Sequence, residues 1–420
     1  MDNPSNLWTA IFCALLVGTL LTRLWLASRH IRHVAQHRAA VPAPFDTTID
    51  LAAHQKAADY TIAKTRFGLL DTAWDGVLLV GWTLLGGLHA LNQRWLDWIG
   101  PGLWQQLAVI GSFVAIGGLL SLPLGWWQTF RLEAQFGFNR TSLGLWLADM
   151  AKGAVVAVLI GGPIAALVLW LMNSAGAYWW LWAWGVWMVF NLTLMVVYPT
   201  VIAPLFNRFE PLQDEALKQR VTALMQRCGF SASGLFVMDG SRRSAHANAY
   251  FTGFGAAKRV VFFDTLLKQL SADEIDAVLA HELGHYKHRH IVSRLVMMFA
   301  VSLGGFALLG WLSSQVWFYT GLGVLPAMDS ANSALALLLF LLVVPLLSYF
   351  LSPLMAQLSR KHEFEADAYA KAQTNADHLA SALLKLYQDN ASTLTPDPWY
   401  VCFYYSHPPA SERLSRLRAA

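Results

Sequence analysis

The sequence predicts an all-α multi-pass membrane protein that also carries a small water-exposed α+β domain. Hydrophobic residues make up 56% of its 420 residues and charged residues only 13%, proportions far from those of soluble proteins. Seven apolar runs are each close to the roughly 20 residues that a helix needs to cross the hydrocarbon core. These runs cover residues 7–27, 67–91, 107–127, 153–172, 179–202, 291–312 and 331–349.

The predicted spans divide the chain into four parts. Residues 1–203 hold five spans and their loops, residues 291–350 hold two more, and residues 204–290 and 351–420 are water-exposed segments. Of the 30 Lys and Arg residues, only Arg94 lies in a loop on the side that the N-terminus shares. Because basic loops remain in the cytoplasm, both water-exposed segments are predicted to face it.

Several classes of protein are excluded by composition. Cys13, Cys228 and Cys402 are far apart in the chain and lack CxxC spacing, which excludes a disulfide framework and a thiolate metal site. The net charge of +4 is accounted for by the cytoplasmic loops, so no nucleic-acid partner is expected. The lipid bilayer is the expected environment, and the oligomeric state is left open.

Residues 281–285 read HELGH, the most informative stretch of the chain. Ser271 and Glu274 form a predicted capping box just upstream, and apolar residues then recur at helical spacing, so the motif lies on a helix. On a helix, His281 and His285 share a face and Glu282 lies beside them. This arrangement predicts a zinc hydrolase site with two histidine ligands and Glu282 as general base.

A catalytic zinc site needs at least three protein ligands and an open fourth position. Residues 360–368 read as a helix on which Glu363 and Asp367 share a face at i and i+4. Glu363 is therefore the expected third ligand. Asp367 is expected to accept a hydrogen bond from the far nitrogen of a liganding histidine. The alternative is that both are solvated carboxylates on an exposed helix face.

HELGH, the segment EFEAD about 80 residues later and SHPP at 406–409 closely resemble motifs of the integral-membrane CAAX prenyl protease family. The likeness extends to FGFN at 136–139, NAYF at 248–251 and the seven-span layout. It implies seven transmembrane helices around a water-filled chamber, a zinc metalloprotease domain and one Zn2+ per chain, held by His281, His285 and Glu363. It also implies that Asn248 and His407 contact the substrate or the developing oxyanion, and that Arg413 is a substrate-binding position.

Residues 248–254 and 258–263 read as two β-rich runs around a small-residue turn. An exposed strand edge beside a zinc helix can hold an extended peptide, and Asn248 is then placed to bind a substrate amide. The alternative is a hairpin that only stabilises the domain. His407 is expected to donate a hydrogen bond to the oxyanion, or else to be a capping or buried structural histidine. His288 and His290 read as parts of a basic membrane-interface segment rather than as ligands.

The expected function is therefore that of a membrane-embedded zinc endopeptidase acting on CAAX-type prenylated tails or on membrane-associated proteins. A bacterial inner membrane is favoured over the endoplasmic reticulum, because residues 415–420 lack a dilysine-type retrieval signal. The alternative is a non-proteolytic membrane chaperone or translocation-clearing factor whose chamber is stabilised by zinc. Structural zinc sites are closed by four protein ligands, whereas this chain offers three and Glu282, which favours the enzyme.

Overall fold

The computed structural model describes residues 3–43, 45–230, 234–252, 258–327 and 331–418. The N-terminal half is built from long apolar helices, three of which continue through a wider π-helical turn. Pro163 and Pro199, which cannot donate a backbone hydrogen bond, lie beside or within two of these turns. The helices are α1 (Pro4–Gln36), α2 (Leu51–Trp82), α3 (Gly87–Ile99), α4 (Leu103–Trp127, continuing through Gln128–Glu133), α5 (Leu143–Val156), a wide turn (Ala157–Gly161), α6 (Gly162–Ser174), α7 (Trp179–Val197, continuing through Tyr198–Ile202) and α8 (Ala203–Phe206).

The segment over residues 204–290 holds a small four-stranded sheet and, among its described residues, three complete α-helices. Its elements are β1 (Phe209–Pro211), α9 (Glu215–Arg227), β2 (Gly234–Met238), β3 (Ala249–Thr252), β4 (Arg259–Phe263), α10 (Asp264–Gln269) and α11 (Ala272–Lys287). The strand order is β1-β2-β4-β3, with β2 parallel to β4 and the other two pairs antiparallel. Strand β3 therefore lies at an edge of the sheet. The expected strand pair corresponds to β3 and β4, and residues 253–257, where the turn was expected, lie outside the described residues.

The remaining elements are the helices of the last two predicted spans, followed by the helices of the second water-exposed segment. They are α12 (His290–Leu312), α13 (Val316–Thr320), α14 (Ser333–Tyr349), α15 (Ser352–Gln373), α16 (Ala376–Asp389), α17 (Pro398–Tyr404) and α18 (Ala410–Arg418). Within the described ranges, five helices are long and apolar enough to span a membrane, or seven if each of two bent pairs is one span. The bent pairs are α2 with α3, at 49°, and α14 with α15, at 66°.

The second predicted span differs from a continuous helix over 67–91. Helix α2 ends at Trp82, Gly86 adopts a left-handed φ of 76°, and α3 begins at Gly87. A Cβ on Gly87 would lie 2.6 Å from the carbonyl oxygen of Gly81, so the bend between α2 and α3 needs glycine at this position. The hydropathy of the run did not reveal this break, because its residues are apolar on both sides of it.

Two large hydrophobic cores stabilise the described part of the protein. One lies between the membrane helices and contains Phe12 and Leu339, both fully buried. The other packs the β4 side chains Val260 and Phe262 with α11 and with the helices that follow α15. A chamber of about 1050 Å³ is lined by residues of α1, α2, α16 and α17.

Candidate active site

Helix α11 begins at the expected capping box. The Ser271 hydroxyl accepts a hydrogen bond from the backbone N–H of Glu274, and the Glu274 carboxylate accepts one from the backbone N–H of Ser271 at 2.7 Å. That carboxylate also accepts hydrogen bonds from Ser381 and Lys385 of α16, at 2.7 and 2.8 Å. Burial raises the pKa of Glu274, but these hydrogen bonds outweigh it and lower the pKa to about 2. An ionised carboxylate thus ties the start of α11 to α16.

The three expected ligand side chains converge where α11 packs against α15. The Nε2 atoms of His281 and His285 are 3.3 Å apart, and Glu363 oxygens lie 3.4 Å from the first and 3.3 Å from the second. Tetrahedral zinc with bonds of about 2.0–2.1 Å places its ligand atoms about 3.3–3.4 Å apart. The spacing therefore fits a metal bound by both imidazoles and by the Glu363 carboxylate.

The surroundings of these atoms favour a cation. Glu363 is buried, and its Oε2 has no hydrogen-bond partner among the described residues. Burial lowers the pKa of His281, but its contacts with Asp367 and Glu363 outweigh burial and raise the pKa to about 9. A buried carboxylate oxygen without a hydrogen bond is costly unless a positive charge lies close to it, and the nearest Arg413 nitrogen is 4.0 Å away. The residues present therefore fit a bound divalent metal.

Asp367 and Arg413 lie behind the first histidine. Asp367 Oδ1 is 2.8 Å from His281 Nδ1, so it accepts the proton on that nitrogen and leaves Nε2 facing the other ligand atoms. Arg413 is buried and donates two hydrogen bonds to Asp367, at 2.8 and 2.5 Å. The role expected for Asp367 agrees with this placement. Arg413 holds Asp367 in place, and its expected contact with substrate stays a prediction.

A cleft of about 120 Å³ opens beside the three ligands and is lined by Glu282, Asn248, His407 and Arg413. His407 is 64% exposed, and its Nε2 lies 3.5 Å from Glu363 Oε1. The Asn248 Oδ1 accepts a hydrogen bond from the backbone N–H of Ala249, so its amide nitrogen is the group left to donate to a ligand. Asn248, His407 and Arg413 also line the large chamber, so the cleft adjoins the chamber.

The FGFN motif, between α4 and α5, packs against the segment that leads into this cleft. The Phe138 ring stacks on His246 at 4.4 Å, and the Phe138 carbonyl accepts a hydrogen bond from the backbone N–H of Ala245 at 3.1 Å. Asn390 accepts hydrogen bonds from the His246 ring and the Ala247 backbone, at 3.1 and 3.2 Å. The segment that leads into Asn248 is thus held between a membrane loop and α16.

The assignment of His290 to a basic membrane-interface segment stays a prediction, but its side chain makes contacts that the sequence did not reveal. His290 is buried, its Nδ1 lies 3.0 Å from His285 Nδ1, and its Nε2 lies 2.8 Å from a Glu365 oxygen. In a continuous helix, positions five apart do not share a face, which is why the sequence concealed this contact. Here α11 ends before Arg289, and the chain turns before α12 begins. Glu365, two residues after Glu363, was the overlooked signal.

The fold and the site together define a class of protein. It is a multi-pass membrane protein with a metallopeptidase-type His2Glu site beside a small α+β segment. Residues 30–208 match the family described as CAAX prenyl protease N-terminal, five membrane helices, and residues 211–420 match Peptidase family M48. The chain belongs to this family of membrane metalloproteases. Membership supports a peptidase that uses a metal, and it favours hydrolysis over the alternative of a non-proteolytic chaperone.

Curated relatives cover nearly the whole chain. "CAAX prenyl protease 1 homolog" of Oryza sativa is 34% identical over 92% of this chain and 93% of its own length. "CAAX prenyl protease 1" of Saccharomyces cerevisiae is 31% identical over 99% of this chain and 96% of its own. The crystal structure of S. mikatae Ste24p superposes with a TM-score of 0.93 at 31% identity, covering 98% of this chain and 99% of that one. These relatives are eukaryotic, so the expected bacterial source receives no support from them.

Proposed function

We propose that this chain is a zinc endopeptidase that cleaves CAAX-type prenylated C-terminal tails at the cytoplasmic face of its membrane. The observation that carries the proposal is the convergence of two imidazole nitrogens and the Glu363 carboxylate, whose oxygens lie 3.3 and 3.4 Å from those nitrogens, next to a cleft that shares lining residues with the chamber. The substrate class comes from the names of the relatives, which are CAAX prenyl proteases. The cytoplasmic orientation comes from the basic residues of the loops.

His281, His285 and Glu363 would hold the metal, and His2Glu coordination with an open position favours zinc. A zinc ion held by these residues would act as a Lewis acid toward the scissile carbonyl and would lower the pKa of a bound water. Replacing Glu363 by Ala removes the buried carboxylate that lies within 3.4 Å of both imidazole nitrogens. The variant should lose its zinc, measured by elemental analysis of purified protein, whereas the surface substitution Asp377→Ala should not. Full retention of zinc by the Glu363 variant would reject Glu363 as a ligand.

The side chains around the cleft have different roles in the proposed reaction. Glu282 follows His281 on α11 and lines the cleft, so its carboxylate is placed to accept the proton of an attacking water and later to pass it to the leaving amine. His407 reaches the same cleft from the loop before α18 and can donate a hydrogen bond to the oxyanion. Asp367 and Arg413 keep the His281 proton on the nitrogen that faces away from the reaction.

The substrate is placed by the sheet edge and by the chamber. Strand β3 lies at the edge of the sheet, and Asn248 precedes it, so an extended peptide can pair with β3 by main-chain hydrogen bonds while Asn248 binds one of its amides. The chamber is at the upper end of the size range of small-molecule pockets, and five tyrosines are among the residues that line it. These tyrosines, with apolar rings and polar hydroxyls, are Tyr60, Tyr387, Tyr400, Tyr404 and Tyr405.

The test is cleavage of a farnesylated CAAX peptide and of its unlipidated twin by purified protein in detergent. Wild type, Glu282→Gln and a chelator-treated sample are compared, and zinc is added back to the last. Cleavage that is lost in the variant and in the chelated sample, restored by zinc and faster with the lipid, supports the proposal. Equal cleavage of both peptides would replace it with a broader peptidase of membrane-associated proteins. No cleavage of either peptide by zinc-loaded wild type would overturn it.

A further inference from the structure

His290 and Glu365 form a second hydrogen-bonded pair behind the candidate zinc site. His290 Nδ1 lies 3.0 Å from His285 Nδ1, and His290 Nε2 lies 2.8 Å from Glu365 Oε2. Both ring nitrogens of His290 are therefore engaged. The His290 side chain is 4% exposed and that of Glu365 is 36% exposed, so the pair connects a buried imidazole to a carboxylate near the surface.

The backbone between the two helices is what brings His290 to His285. Arg289 adopts the left-handed conformation, with φ at 55° and ψ at 32°, between the end of α11 and the start of α12. That conformation is unfavourable for a residue with a side chain, so the neighbouring packing must maintain it. The His362 ring stacks on the His290 ring with centroids 4.0 Å apart and planes 13° apart, which holds the plane of His290.

With a metal on His285 Nε2, the hydrogen-bond pattern allows one arrangement of protons on two neutral imidazoles. The Nε2 of His285 faces Glu363 and His281, so it must keep its lone pair free if it is to bind a metal. Its proton then lies on Nδ1, which donates to the Nδ1 of His290. His290 in turn carries its proton on Nε2 and donates it to Glu365. Each N–H donor in this series of hydrogen bonds, from His285 through His290 to Glu365, meets an acceptor.

We propose that His290 and Glu365 are positioning residues that fix the tautomer and ring orientation of His285, as Asp367 and Arg413 do for His281. Each imidazole ligand is then oriented by a carboxylate. Asp367 contacts His281 directly, whereas Glu365 acts on His285 through His290. Such partners raise metal affinity by ordering the ligand before the metal binds. The inference rests on the proposed metal site.

His290, His362 and Glu365 also bring ligand-type atoms within 4.8 Å of one another, which raises the alternative of a second metal. The geometry opposes it. A metal lies in the plane of each imidazole that binds it, and the nearly parallel, stacked rings of His290 and His362 have no common position of that kind. At the first site, the rings of His281 and His285 are 85° apart and converge.

The test measures zinc affinity of the purified full-length chain by competition with a chelator, together with the rate of zinc release. His290→Phe keeps the ring and its stacking but removes the acceptor for His285, and Glu365→Ala removes the terminal carboxylate at a partly exposed position. Both variants should bind zinc more weakly, His290→Phe by about 10- to 100-fold, and should release it faster. Glu365→Gln keeps an acceptor oxygen and should restore most of the affinity. Lys361→Gln removes only the ion pair between Lys361 and Glu365, 3.8 Å apart, and should match wild type.

The outcomes separate this inference from the proposed function. If wild type binds no zinc, or if His281→Ala leaves its binding unchanged, the proposed metal site itself fails. If wild type binds one zinc and both His290→Phe and Glu365→Ala bind it as tightly, the positioning role is wrong and the proposed function stands. Two zinc ions per wild-type chain, with one lost in His362→Ala, would overturn the inference in favour of a second metal site. Melting temperatures of the metal-free variants verify that each is folded.

Discussion

Gly284 and Ala366 touch where α11 crosses α15. A Cβ on Gly284 would lie 2.9 Å from the Ala366 Cα and 3.0 Å from the Ala366 carbonyl oxygen, distances that ordinary side chains do not adopt. His281 and His285 lie on one of these helices and Glu363 on the other. The glycine between the two histidines therefore sets the distance between the three ligand atoms.

Gly284→Ala is expected to separate the two helices and weaken the metal site. The added methyl group meets backbone, which cannot move aside as a flexible side chain could, so the helices must shift by a few tenths of an ångström. Overpacking of this kind costs about 1–3 kcal/mol of stability, and misplaced ligands lower activity by up to about 100-fold. Zinc affinity and peptidase rate measure the effect. Gly304→Ala is the control, because a Cβ there meets nothing within 4 Å, and equal behaviour of the two variants would refute the explanation.

Glu282→Gln is expected to abolish most peptide cleavage while zinc remains bound. Gln has the shape of Glu but cannot accept and return a proton, and loss of a general base lowers the rate by roughly 10²–10⁴-fold. The rate is followed with a quenched peptide, and zinc content is measured on the same sample. Loss of zinc together with activity would show that Glu282 acts through the metal instead.

His407→Phe is expected to lower kcat more than it raises KM. The imidazole reaches the cleft from an exposed position, 3.5 Å from Glu363, and its hydrogen bond would form chiefly with the oxyanion of the transition state. Loss of one such donor costs about 10²–10³-fold in kcat. His407→Gln, which can still donate a hydrogen bond, should recover part of the rate. A change confined to KM would assign His407 to substrate binding alone.

Glu274→Gln is expected to destabilise the protein by about 1–3 kcal/mol at pH 6, because the buried carboxylate loses its charge-assisted hydrogen bonds. The pKa of Glu274 is lowered from 4.5 to about 2 in the folded state. Its ionised form therefore stabilises the fold fully above pH 4.5, and this contribution is lost as the pH falls toward 2.

Thermal unfolding of wild type and of the Glu274 variant over this pH range measures the effect, and their melting temperatures should converge at acid pH. Glu215→Gln is the control, since Glu215 belongs to a solvent-exposed ion pair with Lys218 and should matter little. A difference between wild type and Glu274→Gln that stays constant with pH would contradict the assigned pKa.

Much of the site could be predicted from local patterns. The capping box at Ser271, the pairing of His281 with His285 and that of Glu363 with Asp367 all follow from the periodicity of one helix each. Strands β3 and β4 follow from two β-rich runs around small residues. These features depend on residues within a few positions of one another, so the sequence carries them directly.

What the sequence by itself determined was a seven-span membrane chain with a His2Glu site. Only the tertiary structure decided which contacts join distant segments. Gly284 meets Ala366, Ser381 and Lys385 meet Glu274, and His290 turns back to His285. The physical reason is that helical periodicity repeats within one element, whereas these contacts depend on how two elements pack and where a helix breaks. The left-handed turn at Arg289 leaves no mark in the hydrophobic pattern, yet it places the imidazole that supports the second histidine.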